Sequence, residues 1–277
     1  MRKLLLLSFL VVSTCCATAQ IVPILNNKTN LEIEAEARGG SHHNHPNTDG
    51  HGYAHIYAIH NFVYTPKTKV GVDLRYEANN GDNHYFRFGP RVSHTFTLSN
   101  SHPLSITGNI YGEASQYGVE RVVGHISGIY GFGISQSQQQ GIGLIVLINN
   151  PQGVPCVPIY VFNKTFNKQW SLNFLTYMAS VNYDYNSKLR FFAGYSMMSE
   201  KYWLKHNHKR YMTSKSYFSP QIGLQWKPAK DIKLSANLGY RLQIYEGKVY
   251  NRTGSRKIGE LKKNSAPFVT VRATFGW

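Results

Sequence analysis

Five histidines crowd one short stretch of the 277-residue chain: His42, His43, His45, His51 and His55, with Asp49 among them. Neutral imidazole nitrogens and a carboxylate suit zinc, copper or nickel, whose ligands must be held about 2 Å from the ion. Nothing in the spacing fixes such a geometry. Asn44, Pro46, Asn47 and Gly50 make the stretch irregular, and no helical repeat stacks two imidazoles on one face. A solvated loop accommodates the same residues. The expectation is therefore no resident cofactor and no dedicated metal, with His42, His43, His45, Asp49 and His51 as candidates for weak, opportunistic metal binding.

A second pairing is His125 and Ser127, two apart on a strand-like stretch and so on one face. A serine nucleophile needs a base within hydrogen-bond reach and a third group that orients the base. The His-x-Ser order resembles that of outer-membrane phospholipase A, which implies a nucleophile and base carried on a barrel wall. No third residue completes the set here, and the flanking sequence departs from that enzyme. A lipid hydrolase or deacylase using His125 and Ser127 stands as an alternative reading.

Charged side chains form rows with period 2. Glu32, Glu34, Glu36 and Arg38 follow one another at alternate positions, as do Asp73, Arg75 and Glu77. Arg87, Arg91, Glu113, Lys233, Arg241 and Arg272 fall on strand-like stretches of the same kind. Paired carboxylates can exchange protons with a substrate, but carboxylates with basic neighbours also build ion networks. On strands whose other face is apolar, all these charges share one interior.

The long connections near the end of the chain are basic. One carries Lys201, Lys205, Lys209, Arg210 and Lys215; the next carries Arg252, Arg256, Lys257, Lys262 and Lys263. Such clusters sit in water or neutralise phosphates, and Arg252, Arg256, Lys257, Lys262 and Lys263 are the candidate contacts to lipopolysaccharide.

The elements that would position these groups are strands. Val269, Val271, Ala273, Phe275 and Trp277 alternate with Thr270, Arg272, Thr274 and Gly276, giving one apolar and one polar face. Ile232 to Ile244, Val70 to Tyr76 and Leu31 to Ala37 alternate the same way. The ending Phe275-Gly276-Trp277 resembles the C-terminal assembly signal of bacterial outer-membrane β-barrels, which implies recognition by the barrel-assembly machinery. The start of the chain agrees. Arg2 and Lys3, an apolar run from Leu4 to Val12, and Ala17-Thr18-Ala19 have the order of a secretory signal peptide, with residues 1–19 removed and 20–277 forming one barrel domain. No stretch is long and apolar enough for a membrane-crossing helix, so an integral membrane chain must close as a barrel.

Composition narrows the partners. The formal charge of +16 becomes +14 without Arg2 and Lys3, which favours anions. Nucleic acid is not expected, because the chain is exported and carries no binding module. Only Cys156 remains after the signal, so no intramolecular disulfide can form.

Counting strands gives an all-β, transmembrane, antiparallel barrel of about 14 strands, with 12 as the alternative. Short periplasmic turns are expected at Thr65–Thr68, Ser99–Pro103, Asn186–Ser187 and Lys227–Lys230. Longer outward loops are expected at Gly39–His51, Asn79–His84, Gln116–Gly124, Asn149–Pro158, Glu200–Met212 and Glu246–Ala266. Val157-Pro158-Ile159-Tyr160 through Phe166-Asn167-Lys168-Gln169-Trp170, then Tyr183 to Lys188, resembles an uncharacterised family of Bacteroidota barrel proteins. That resemblance implies an outer-membrane location without chemistry. The leading expectation is a non-enzymatic outer-membrane barrel, either a small pore or uptake channel or a structural membrane protein. It would partner with outer-membrane lipid and lipopolysaccharide, and its oligomeric state is left open. An exported soluble β-protein that binds polyanions is the third reading.

The first strand and the last are expected to be the two edges that close on each other, with one of Glu32, Glu34 and Glu36 meeting Arg272; register is not given by the sequence, and Glu34, the central one, is the choice.

Overall fold

The computed structural model describes residues 28–39, 52–79, 83–99, 102–135, 137–149, 156–206, 208–244, 247–251, 257–261 and 265–277. The proposed leader lies outside these residues, as do His42, His43, His45, Asp49, His51, Arg252, Arg256, Lys262 and Lys263.

Among the described residues every regular element is a strand. They are β1 (Thr29–Arg38), β2 (Gly52–Tyr64), β3 (Thr68–Asn79), β4 (Asn83–Ser99), β5 (His102–Ser115), β6 (Gly118–Phe132), β7 (Gln138–Ile148) and β8 (Cys156–Thr165). After these come β9 (Trp170–Leu175), β10 (Met178–Asp184), β11 (Leu189–His206), β12 (Lys209–Ala229), β13 (Ile232–Gln243), β14 (Gly247–Asn251), β15 (Lys257–Leu261) and β16 (Ala266–Gly276).

β1 to β13 pair antiparallel, each with the next; β16 pairs with both β13 and β1. The result is a closed ring of 14 strands, and the twelve-strand alternative is set aside. β14 and β15 are an outgrowth, β14 pairing with the upper part of β12. The seam is made by the chain's two edge strands. Thr29 N donates to Trp277 O at 2.9 Å, Trp277 N returns a bond to Thr29 O at 3.1 Å, and nine residue pairs from Asn30↔Gly276 to Arg38↔Phe268 lie between. In a barrel this pairing removes both bare edges at once.

Alternation in sequence becomes alternation in burial. On β1, Asn30, Glu32, Glu34 and Glu36 are buried, while Ile33 and Ala35 are exposed. The outer face is apolar around the whole ring: Ile33, Phe88, Val92, Ile110, Ile126, Leu144, Ile222, Leu238, Val269 and Val271 are all exposed. A water-facing monomer rarely shows so continuous an apolar belt.

At one end the connections are tight and chemically fixed. Asn167 Oδ1 accepts from the backbone N–H of Gln169 and Trp170, both at 2.8 Å, and Asn186 Oδ1 does the same for Lys188 and Leu189. An asparagine side chain here replaces a backbone turn. At the other end the expected layout needs correction. Gln116–Gly124 is not a long loop: β6 begins at Gly118, after a turn at Gln116-Tyr117. Glu200–Met212 belongs to the paired strands β11 and β12, and His208, just before β12, takes a φ of 61°. Glu246–Ala266 holds the β14–β15 hairpin.

That hairpin extension has a distinct shape. β11 and β12 pair along their whole length, from Leu189↔Trp226 to His206↔Lys209. β10 follows β11 only as far as Met178↔Ser196. Above that level the β11–β12 hairpin, with β14 and β15 beside it, rises beyond its neighbour as a flap.

Candidate functional site

The interior is built from cross-strand rows, because residues directly opposite in an antiparallel pair share a face. One row runs Thr274–Glu32–Tyr57–Arg75–Arg87–Glu113–Arg121 across β16, β1, β2, β3, β4, β5 and β6. Another runs Arg272–Glu34–His55–Glu77–Tyr85. Nearly every expected interior charge is buried: Glu32, Glu34, Glu36, Asp73, Arg75, Glu77, Arg87, Arg91, Glu113 and Arg241. Lys233 and Arg272 are half-buried, and Arg38 lies at the top of β1.

Partners are specific. Arg272 Nε donates to Glu34 Oε2 at 2.6 Å. Glu36 is held three ways: Arg241 Nε at 3.1 Å, Thr270 Oγ1 at 3.0 Å and Arg38 Nε at 2.5 Å. Glu113 accepts from Tyr85 Oη at 2.8 Å and Arg121 Nε at 2.5 Å. Arg75 pairs with Glu77. Arg87 lies 4.3 Å from the centre of the Tyr111 ring, and Arg241 4.3 Å from that of Phe268, positions in which an aromatic face attracts a guanidinium.

The network is nonetheless incomplete. Arg87 Nε and Nη1, Asp73 Oδ1, Asn109 Oδ1 and both ring nitrogens of His125 are buried without a hydrogen-bond partner from the protein. The Arg87–Asp73 contact is 3.8 Å, an ion pair too long for a hydrogen bond. These groups line β3 to β6, whereas β7 to β11 present an apolar cluster of Ile145, Val157, Ile159, Val161, Leu175, Tyr177 and Met197. The interior therefore has a charged sector and a greasy one.

The flap reaches across the mouth. Trp203 of β11 stacks on Tyr85 of β4, with centroids 5.7 Å apart and planes at 7°. β4 and β11 are seven strands apart whichever way the ring is followed, so this contact spans the barrel from one wall to the opposite one. Trp203 and Met212 are 0% exposed and form a cluster with Tyr85 and Tyr250. Polar clasps flank it. Arg210 Nη1 of β12 donates to Glu120 Oε1 of β6 at 2.9 Å and to Tyr117 O at 2.8 Å, and Arg38 of β1 pairs with Glu200 of β11.

His125 and Ser127 do share the inward face of β6, 1% and 3% exposed. No hydrogen bond joins them, and the His125 ring stands edge-on to Tyr111 with centroids 6.2 Å apart. Of the proposed lipopolysaccharide contacts only Lys257 is placed, at the start of β15. Phe275 lies opposite both Leu31 and Ile232, and Trp277 is 64% exposed at the end of the seam.

Sequence reasoning did not pick out Tyr85, Trp203, Met212 and Glu120 as closing the mouth, nor His55 as an interior group beside Glu34. Period 2 breaks down around Trp203 and Met212, so no local pattern marked the first group.

No family model matches the chain, and no curated protein does. Among solved structures, a NanC porin shows 12% identity over 89% of this chain and 100% of its own, with a TM-score of 0.43. A Pseudomonas aeruginosa FadL homologue shows 9% identity over 91% and 93%, with a TM-score of 0.47. A bacterial polysaccharide outer membrane secretin shows 10% identity over 91% and 99%, with a TM-score of 0.45. These similarities are weak, and the barrel is read from its own geometry.

Proposed function

We propose that the protein is a bacterial outer-membrane β-barrel that acts as a gated channel for small solutes and rests closed. Exported behind residues 1–19 and assembled through its last strand, it would place the apolar belt in lipid and the flap outward. The kinship with Bacteroidota barrels rests on the motifs between Val157 and Lys188.

One observation carries the channel reading: the buried interior polar atoms that the protein leaves unpartnered, from Asp73 and Arg87 to Asn109 and His125. A barrel sealed for structural purposes would pair such groups with one another, since each one left bare costs about 1–3 kcal/mol. Groups of this kind call for water, and a hydrated charged sector beside an apolar one suits passage of a small polar or amphipathic solute. The flap then supplies the gate, because its contacts to β4, β6 and β1 bridge the mouth.

The test is electrical. In a Cys156→Ser background, Glu120→Cys with Arg210→Cys, bridged by a short bis-maleimide crosslinker that carries a reducible disulfide in its spacer, should abolish conductance in a planar bilayer. Reductant should restore it. If neither the wild type nor a Trp203→Ala, Arg210→Gln variant passes current, the channel reading falls.

A further inference from the structure

Among the described residues the interior holds a cluster of metal-ligating side chains that neither the channel nor the gate uses. Glu32 and Glu34 on β1 and His55 on β2 are all buried, and one ligand atom from each lies within 4.8 Å of the others. The strands place them for a simple reason. Glu34 and His55 are direct cross-strand partners, and Glu32 is two residues from Glu34 on the same face.

We propose that Glu32, Glu34 and His55 form a binding site for a divalent transition metal, with zinc the fitting ion. Two carboxylates and one imidazole are a donor set that zinc accepts. Their present spacing is wrong for hydrogen bonding but near that of shared ligands. His55 Nδ1 is 4.0 Å from Glu32 Oε1, beyond any hydrogen bond. Donors each about 2.1 Å from one ion at a tetrahedral angle stand roughly 3.4 Å apart, so from spacings of up to 4.8 Å binding needs a closure of up to about 1.4 Å. A second observation bears on the cluster. Glu32 is 2% exposed, and its Oε1, facing the cluster, has no hydrogen-bond partner and only a 3.7 Å ion-pair contact to Arg272; His55 Nε2 is also buried without a hydrogen bond. A buried carboxylate oxygen without a hydrogen-bond donor is costly unless a cation meets it closely.

Arg272 is the resident competitor. Its Nε bonds Glu34 Oε2 at 2.6 Å and stands 3.7 Å from Glu32 Oε1. Two carboxylates with one guanidinium carry a net charge of −1, and a dication added to the set would make it +1. Metal binding therefore displaces the guanidinium, and the 31% exposed Arg272 side chain has room to turn away.

The experiment uses the full barrel, stripped with chelator, in a background where His42, His43, His45 and His51 are Asn. Titration with Zn2+ should show one site. Glu32→Gln and His55→Asn should weaken it at least about tenfold, as loss of metal-site partners does. Arg272→Gln should tighten it. Zn2+ should also raise the temperature at which heat-modifiable migration is lost, in the background protein but not in His55→Asn. Binding that is as tight in Glu32→Gln and His55→Asn, or weakened by Arg272→Gln, overturns the assignment. If a variant does not assemble, Co2+ absorption of the background protein decides. Intense visible bands of a four-coordinate ion support the site, and a spectrum like that of aqueous Co2+ overturns it.

Discussion

Glu34 and Arg272 face each other across the seam where the first and last strands meet. They are a direct cross-strand pair, and Arg272 Nε donates to Glu34 Oε2 at 2.6 Å. The chain's two ends are thus joined by backbone bonds and by a charge pair turned inward. A buried carboxylate that loses its partner destabilises by about 3–5 kcal/mol, less where the partner is partly exposed as Arg272 is. In metal-free buffer, Arg272→Gln should lower the temperature at which heat-modifiable migration is lost. Exchanging the charges, Glu34→Arg with Arg272→Glu, should recover part of the loss. An unchanged transition in the single variant would contradict the pairing.

The seam also depends on its last two residues. Trp277 and Thr29 exchange two backbone bonds, and Gly276 N donates to Asp231 O at 2.9 Å. Deleting Gly276-Trp277, or making Phe275→Asp, should leave unassembled protein in the periplasm. Surface levels equal to the wild type, measured by protease shaving of whole cells, would be the contrary result.

Trp203 is 0% exposed and anchors the flap to the opposite wall. Truncating a fully buried Trp costs about 3–5 kcal/mol, here taken from the flap's contacts more than from the ring of strands. Trp203→Ala should therefore raise open probability in single-channel records while the barrel still migrates as folded. A variant that conducts no more often than the wild type would argue that Trp203 does not hold the gate.

Basic residues near the β14–β15 hairpin are proposed to meet lipopolysaccharide phosphates. Replacing Arg252, Arg256, Lys257, Lys262 and Lys263 with Gln should reduce copurifying lipopolysaccharide and leave heat-modifiability intact. Retention of the full amount after detergent extraction would remove the proposal.

His125 lacks a hydrogen bond to Ser127, so neither is activated for nucleophilic chemistry in this arrangement. Lipid hydrolysis by the purified barrel, if any is detected, should be unaffected by His125→Ala or Ser127→Ala. A loss of turnover in both variants would revive the enzyme reading.

Strands with one face outside and one face in polar surroundings were plain in the sequence. β1, β13 and β16 alternate cleanly, which with the edge argument paired β1 with β16 and turned Glu32, Glu34, Glu36 and Arg272 inward together; the register that sets Glu34 against Arg272 came from the structure. β2 resisted because its ladder to β3 shifts between Asn61 and Val63, and a shift of one residue exchanges the faces beyond it. His55 was therefore not separable from the neighbouring histidines. The flap was hidden for a different reason. Met212, Thr213 and Ser214 are consecutive and all buried, so both faces of β12 are covered there and period 2 disappears. A basic, aromatic stretch without period reads as a loop. Contacts such as Trp203 to Tyr85 join residues 118 positions apart, and no local pattern encodes them.

The flap is not a separate lid on a flexible tether. β11 runs 18 residues and β12 runs 21 without interruption from the barrel ring to the hairpin's end at His206 and Lys209. With no hinge loop in either strand, displacement of the tip must be spread along the ladder as bending. Such a gate behaves as a leaf spring whose fixed end is the barrel wall itself. Its recoil would favour reclosure, and a pull on the outer tip would be felt as tension among the strands beneath it.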